Sequence, residues 1–127
     1  MKNNNPYIGL HHVSLPITDL DRSLDFYLGV LGFEVDENRP DFNFAGAWLK
    51  AGQQQIHLLA LGQAIVGTGA DSPGRDAHFA LLVDDLGTVE KRLDKEAVAY
   101  NKSQSGRAAL FCRDPDGNGI EFIASRR

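Results

Sequence analysis

Hydrophobic positions change their spacing in the same order in both halves of the chain. In the first half, Leu10 to Ile17 alternates apolar and polar residues, which predicts a strand. A helix is predicted next, because apolar residues recur on one helical face and Gly32 follows as a left-handed cap. The residues of that face are Leu20, Leu24, Tyr27, Leu28 and Leu31. Three strand-like runs complete the half: Phe33 to Asp36, Ala45 to Ala51 and Gln54 to Leu61.

The second half repeats this order of elements. Ala77 to Val83 predicts a strand, and Leu86, Val89 and Leu93 lie at helical spacing after it. The predicted closing strands are Ala97 to Lys102, Ala108 to Arg113 and Gly119 to Ala124. The segment from Asp114 to Asn118 is a strong turn, since Pro115 presets its dihedral and Gly117 permits a positive one. The pattern predicts an α+β fold of two tandem βαβββ modules.

Composition is that of one ordinary globular domain. With 127 residues, 43% hydrophobic and 24% charged, residues 1–127 can bury one core but not two independent ones. We expect two modules within it, about 8–62 and 76–125. They are joined by the Gly-rich stretch Gly62 to Arg75, which is either a plain linker or a lid.

Charge and hydropathy exclude two classes of partner. The net charge of -4 and the absence of a basic run argue against nucleic acid, and no apolar run is long enough to span a membrane. The first residues lack the apolar core of a signal peptide, and the lone Cys112 cannot form an internal disulfide. We therefore expect a cytoplasmic protein that acts on a small molecule, with Cys112 as a buried, inert thiol.

The repeat places potential metal ligands at matching positions. His12-Val13-Ser14-Leu15 before Asp19-Leu20 matches His78-Phe79-Ala80-Leu81 before Asp85-Leu86. Ile56-His57-Leu58 likewise matches Ile120-Glu121-Phe122. In a duplicated module, related positions face each other across a pseudo-twofold axis. The four candidate ligands predicted to converge on one point are His12, His57, His78 and Glu121.

Strand alternation separates His12 from its neighbour. Side chains two apart share a face, so His12 and His11 point to opposite surfaces. The repeat favours His12, because His78 aligns with it while Ala77 aligns with His11. We therefore expect His11 to have at most a packing role.

Imidazole and carboxylate donors without thiolate suit several divalent ions. The expected cofactor is one divalent metal ion per site, which could be Ni, Zn, Co, Mn or Fe(II). A carboxylate within the apolar run around Glu121 must be paired or metal-bound. A structural salt bridge from Glu121 to Arg107 is the alternative that the residues leave open.

Together these residues resemble the vicinal oxygen chelate superfamily, which includes glyoxalase I, bleomycin-resistance proteins and extradiol dioxygenases. The resemblance runs from Leu10 to Ala124 and includes Leu31-Gly32-Phe33 and the turn before Glu121. It implies that the two modules curl into an incomplete barrel and that a divalent metal is held by His12, His57, His78 and Glu121. It also implies a homodimer whose site forms either within one chain or across the pair.

The resemblance implies a glyoxalase-like lyase or isomerase, in which Glu121 moves a proton on a metal-chelated hemithioacetal or related substrate. Pro16 and Leu61 replace residues that grip glutathione in glyoxalases, which argues against glutathione. Arg75, Arg107 and Arg113 are candidates for a different anion clamp. The aromatic residues Trp48, Phe42 and Phe44 either line the entrance or pack in the core.

Two other functions stay open at this point. His12, His78 and Glu121 alone would suit an extradiol-type Fe(II) dioxygenase, if His57 acted as an acid or base. A non-catalytic module that sequesters a small molecule would need no metal.

Overall fold

The computed structural model describes residues 4–64 and 72–125, which form two four-stranded sheets. The first sheet has the order β1-β4-β3-β2 and the second has the order β5-β8-β7-β6. The strands are β1 (His12–Ile17), β2 (Glu34–Val35), β3 (Ala45–Ala51), β4 (Gln54–Ala60), β5 (His78–Val83), β6 (Tyr100–Lys102), β7 (Ala109–Arg113) and β8 (Gly119–Ala124). The helices are α1 (Leu20–Leu24), which continues as a π-helical stretch over Asp25–Val30, and α2 (Leu86–Lys95). The predicted α+β class and its two βαβββ modules are confirmed.

Within each module the first and last strands pair in parallel. In the first sheet, Ser14 pairs with His57, which also pairs with Trp48 on β3. In the second sheet, Ala80 pairs with Glu121, which also pairs with Phe111 on β7. Since directly paired residues share a face, His57 and Glu121 occupy equivalent central positions of the two sheets.

The opposite face of both sheets packs on the helices. Alternate residues of β1 and β4 are buried there, and the matching residues of β7 and β8 join the same cluster. Its fully buried members include Ile17, Leu49, Ile56, Leu58, Leu93, Leu110 and Ile120. This single core spans both modules, so the ligand-bearing faces are left on the outside of the chain.

The first helix departs from the predicted regular α-helix. Beyond Leu24 it widens into a π-helical stretch, and the amide of Leu31 donates to the carbonyl oxygen of Phe26 at 3.0 Å. The adjacent residues Phe26 and Tyr27 are both buried within this stretch. Gly32 then ends the helix with a φ of 84°, as its position predicts.

The strand predicted from Ala97 begins three residues later, at Tyr100. Ala97 has a φ of 56°, and the amide of Val98 donates back to the carbonyl oxygen of Leu93 at 2.9 Å. These residues therefore cap α2 instead of extending β6. The cap satisfies a helix-end carbonyl that strand geometry would leave unpaired.

Asp114 joins the two modules. It is 5% exposed, and one carboxylate oxygen accepts a 2.7 Å hydrogen bond from the Tyr27 hydroxyl of the first module. The same carboxylate accepts bonds from the amides of Asp116 and Asn118 and from the side chain of Asn118. Burial, followed by the Asp114 charge, raises the pKa of Tyr27 well above its usual value, so the phenol stays protonated as the donor.

Two further expectations from the sequence concern the linker or lid and the lack of a membrane-spanning segment. Residues 65–71 of the predicted linker or lid lie outside the described residues, and Pro73–Arg75 forms a short 3-10 turn. In the described ranges 4–64 and 72–125, no helix is long and apolar enough to cross a membrane.

The Tyr27–Asp114 bond predicts a stability difference between two tyrosine variants. Tyr27→Phe should lower the free energy of unfolding by about 1–3 kcal/mol, because a buried carboxylate loses a partner. Tyr100→Phe removes a hydroxyl that bonds Asp94 and Glu90 near the surface, so its cost should stay below about 0.5 kcal/mol. Urea denaturation of both variants measures the difference. Equal losses would contradict the assigned role of Asp114.

Candidate metal centre

The four predicted ligands lie in two pairs, one on each sheet. The His12 and His57 rings stack in the first sheet, and His78 meets Glu121 in the second. Among the residues that the structure describes, no three His, Cys, Asp or Glu side chains are grouped so that they could hold a metal ion. The expected convergence of all four is therefore not present within one chain. A cavity of about 190 Å³ runs between His78 and the middle of β1, at Val13 to Leu15.

The second pair is built around the ring of His78. Its Nδ1 lies 2.9 Å from the Asp76 carbonyl oxygen, which can only accept, so Nδ1 carries the proton. In the neutral ring, Nε2 then presents a lone pair to Glu121 Oε1 at 3.1 Å. Two lone pairs that face each other at this distance require a proton or a cation between them.

The spacing of this pair fits a metal ion. Two donors bound at about 2.1 Å and at a right angle are about 3 Å apart, close to the 3.1 Å from His78 Nε2 to Glu121 Oε1. The hydrogen bond from Nδ1 to a backbone carbonyl is the support that metal-binding imidazoles typically have. His78 and Glu121 therefore have the donor types and the separation of two neighbouring ligands.

Glycine permits the close approach on which this pair depends. Gly119 pairs with His78 across β5 and β8. A Cβ at Gly119 would lie 2.9 Å from the Cβ atoms of both His78 and Pro73, and would displace the ring. The short run from Gly119 to Glu121 therefore leaves space for the His78 side chain and also provides the Glu121 carboxylate.

Arg107 binds the other oxygen of Glu121. Its Nη2 donates to Oε2 at 2.6 Å, and the Arg107 side chain is 54% exposed while that of Glu121 is only 6% exposed. The salt bridge that the sequence left open is therefore present. It coexists with the metal-type pair, because it uses the carboxylate oxygen that does not face His78.

His12 lies at the exposed start of β1. Its Nδ1 is 2.8 Å from Nδ1 of His11. In the tautomer in which His12 Nδ1 donates this bond, Nε2 of His12 has the lone pair that a metal needs. The expectation that His11 and His12 point to opposite surfaces is wrong. His11 precedes the first residue of β1, so strand alternation does not fix its direction, and its exposed ring reaches His12.

His57 is held differently from the other two histidines. Its ring is sandwiched between His12, at a centroid distance of 3.9 Å, and Trp48, at 4.2 Å. Its Nε2 donates to Gln55 Oε1 at 2.8 Å, and Gln55 donates to Asp36 at 2.7 Å. The lone pair of the neutral ring is therefore on Nδ1.

The stack limits what His57 can ligate. Ring nitrogens bind metal in the plane of the ring, and the His12 and His57 planes are only 15° from parallel. In this arrangement their lone pairs cannot converge on one ion. Burial lowers the pKa of His57, and the nearby His12, His11 and Arg39 groups lower it further while Asp36 raises it.

Several candidates from the sequence have other partners. Arg113 binds Asp76 at 2.9 Å and the Gly117 carbonyl at 3.0 Å, so its guanidinium supports the start of β5. Burial, together with the Asp114 charge, raises the pKa of Cys112 to about 12, which agrees with an inert thiol. Trp48 packs against His57, while Phe42 stacks on Phe44 and is 45% exposed.

Sequence reasoning missed the residues that orient the histidines. Gln55 and Asp36 fix the tautomer of His57, and the Asp76 carbonyl fixes that of His78. For His57 the available signal was Gln55, because residues i and i+2 of a strand share a face. Asp76 precedes β5 and acts through its backbone carbonyl, so alternation does not predict its contact. Asp36 had no such signal, since only strand pairing brings it close.

Comparisons with known proteins agree with this architecture. Residues 9–122 match the family profile described as "Glyoxalase/Bleomycin resistance protein/Dioxygenase superfamily". The chain is 35% identical to "Glyoxylase I 4" of Arabidopsis thaliana over 89% of this chain and 68% of that protein. It is 32% identical to "Catechol-2,3-dioxygenase" of Bacillus subtilis over 91% of this chain but only 41% of that protein.

A solved structure has the same fold. The lactoylglutathione lyase of Agrobacterium tumefaciens superposes with a TM-score of 0.68 at 22% identity, covering 95% of this chain and 96% of the other. The resemblance read from the repeated motifs is confirmed, and the chain belongs to the glyoxalase/bleomycin resistance protein/dioxygenase superfamily.

Proposed function

We propose that this protein is a homodimeric, metal-dependent enzyme of proton transfer, a lyase or isomerase of glyoxalase type. His12 of one copy and His78 with Glu121 of the other hold one divalent ion per site. The observation that carries this proposal is the pair of lone pairs opposed at 3.1 Å on His78 and Glu121, with the His78 tautomer fixed.

The exposed face of the chain supports a second copy as the source of the missing ligand. His12 and Ser14 on β1 are exposed, as are His78 and Ala80 on β5, and Leu82 on the same face is 74% exposed. Tyr7, Ile8 and Leu10, just before β1, are also largely exposed. Exposed apolar side chains on and next to strands that carry candidate ligands are typical of an interface. A twofold axis would bring the first sheet of one copy against the second sheet of the other.

The donor set defines what each residue does. A divalent ion at this site would polarise a substrate oxygen and acidify the neighbouring C–H bond. Glu121 accepts that proton, and its orientation is fixed because Arg107 binds its outer oxygen. His57 is a second proton carrier, because Gln55 holds its Nε2 proton and leaves Nδ1 open to accept. This assignment replaces the predicted ligand role of His57.

The names of the relatives set the range of substrates. Relatives named glyoxalase or lactoylglutathione lyase favour a hemithioacetal or a related small compound with neighbouring oxygens. Pro16 is half-buried on β1, and its carbonyl accepts from Asn118. With Leu61 it offers no polar side chain for glutathione. The cytoplasmic location and the identity of the metal stay predictions.

Mixing two inactive variants tests whether the site spans two copies. His12→Ala and His78→Ala should each lose most bound metal. Refolded together from denaturant, they should recover about a quarter of the wild-type metal content, because half of the dimers are mixed and each of those has one intact site. Elemental analysis of the purified dimers measures this. A mixture with no recovered metal would contradict a shared site, and wild-type protein without metal would favour a non-catalytic binding module.

Variants of the two proton carriers test the reaction type. Glu121→Gln and His57→Gln should each reduce turnover by at least about a hundredfold, because each removes an acid–base group. Glu121→Gln also keeps the side-chain size, whereas His57→Gln loses the stacked ring. His57→Gln should retain its metal, since His57 is not a ligand in this assignment. The readout is deuterium incorporation from D₂O into hemithioacetals and acyl thioesters, followed by NMR. Full exchange in both variants would refute this chemistry.

An extradiol-type dioxygenase is the second candidate, and the stacked position of His57 favours it. With His57 outside the ligand set, His12, His78 and Glu121 form the two-histidine, one-carboxylate set typical of non-haem Fe(II) oxygenases. The 32% identity to a protein named catechol-2,3-dioxygenase agrees with this reading.

Oxygen uptake separates the two candidates. Protein loaded anaerobically with Fe(II) and supplied with catechols should consume no oxygen above the level of the His78→Ala control if proton transfer is its reaction. Stoichiometric oxygen uptake with ring cleavage would reverse the order of the two candidates.

A further inference from the structure

We propose that Arg107 determines the substrate class, by binding an oxyanion that is directly adjacent to the chelating oxygen of the substrate. The ligand is then a small 2-oxo or 2-hydroxy compound whose neighbouring group is an ionised carboxylate or phosphonate. This inference rests on the proposed metal site and goes beyond it, since that site alone accepts neutral and anionic substrates.

The charges around His78 and Glu121 favour an anionic ligand. Without metal, Arg107 and Glu121 neutralise each other through the 2.6 Å contact. A divalent ion at Glu121 Oε1 adds two positive charges among neutral imidazoles, and Glu121 is already matched by Arg107. The neighbouring carboxylate of Asp76 cannot offset this excess, because it binds Arg113 at 2.9 Å. The loaded half-site therefore has two positive charges in excess.

The charged groups that act on His57 and its hydrogen-bond partners are not net negative. The carboxylate of Asp36 accepts from Gln55 and has Lys50 beside it, and Arg39 also acts on His57. Asp36, Lys50 and Arg39 together therefore add no net negative charge. With a divalent ion bound, the site would be locally positive on a chain of net charge -4, which would concentrate anions there.

The geometry of Arg107 leaves it able to bind a second anion. Its Nε donates to Ser105 Oγ at 3.3 Å and its Nη2 donates to Glu121, which together orient the guanidinium plane. Within ranges 4–64 and 72–125, Nη1 has no hydrogen-bond partner, and the side chain is 54% exposed. An exposed, oriented N–H edge beside a metal-type carboxylate can hold one oxygen of a planar carboxylate or of a phosphonate.

Binding of matched small anions to the Mn²⁺-loaded protein tests the inference. The probes are oxalate, its neutral isostere oxamide, and phosphonoformate, in which a phosphonate replaces one carboxylate. Isothermal titration calorimetry should show that Arg107→Gln binds oxalate about tenfold more weakly than wild type, because a charge-assisted bond is lost. Its affinity for oxamide should change less than about twofold. The probe that loses more affinity, oxalate or phosphonoformate, shows whether Arg107 favours a carboxylate or a phosphonate.

The Mn²⁺ affinity of Arg107→Gln distinguishes the loss of an anion contact from damage to the fold. Arg107→Gln should bind Mn²⁺ as tightly as wild type or more tightly, because it removes a positive charge beside the ion. Damage to the fold would weaken the binding of both Mn²⁺ and oxalate. The matched control is Lys91→Gln, which removes one positive charge from the exposed surface of α2 and should leave both affinities unchanged.

The outcomes separate this inference from the proposed function. Wild-type protein that binds no Mn²⁺ overturns the proposed function and this inference together. Normal Mn²⁺ binding with unchanged oxalate affinity in Arg107→Gln overturns the inference alone. If circular dichroism shows that Arg107→Gln is unfolded, Arg107→Lys replaces it. Lysine keeps the charge but not the paired N–H donors, so this variant must also bind oxalate more weakly than wild type.

Discussion

Parallel pairing of the first and last strands within each module is the constraint on which the rest of the structure depends. It places His57 beside Ser14 in one sheet and Glu121 beside Ala80 in the other, with the helices packed on the opposite faces. Each sheet therefore has its own pair of candidate ligands, and the shared core lies on the far side. In the proposed function the two sheets meet face to face, and a second copy of the chain provides the unmatched sheet.

The two pairs are alike in position and different in chemistry. His78 has its Nδ1 bonded to a backbone carbonyl and its Nε2 directed at a buried carboxylate, which is the arrangement of a metal ligand. His57 lies flat between two rings with its Nε2 bonded to Gln55, which suits a proton acceptor better than a ligand. The duplicated modules have candidate functional side chains at matching positions of the two sheets. The groups that contact each side chain determine which chemistry it suits. Arg107 pairs with Glu121 and keeps a half-exposed guanidinium beside it, which is the basis of the proposed preference for an anionic ligand.

Much of the fold could be read from spacing alone. Alternation and helical periodicity predicted every strand and both helices, and Gly32 and Gly117 marked a helix end and a turn through their positive φ of 84° and 88°. Two elements depart from the expected pattern. Ala97 and Val98 have strand-like composition but cap α2 through hydrogen bonds to Asp94 and Leu93. The first helix widens into a π-helical stretch whose Tyr27 bonds Asp114, 87 residues away.

The sequence by itself determined which residue types face the same side of each sheet, because a period of two residues is a local property of strands. It therefore identified His12, His57, His78 and Glu121 as one family of positions, and the superfamily follows from those motifs. Only the tertiary structure decided how these residues pair, which ring nitrogen each histidine offers, and that Arg107 binds Glu121. Those properties depend on partners such as Asp36 and Trp48, which strand pairing brings within hydrogen-bond or stacking distance. Gln55 and Asp76 lie only two residues from the histidines that they orient, but the contacts of Asp36, Trp48 and Arg107 join segments that are separate along the chain, and no local pattern encodes those.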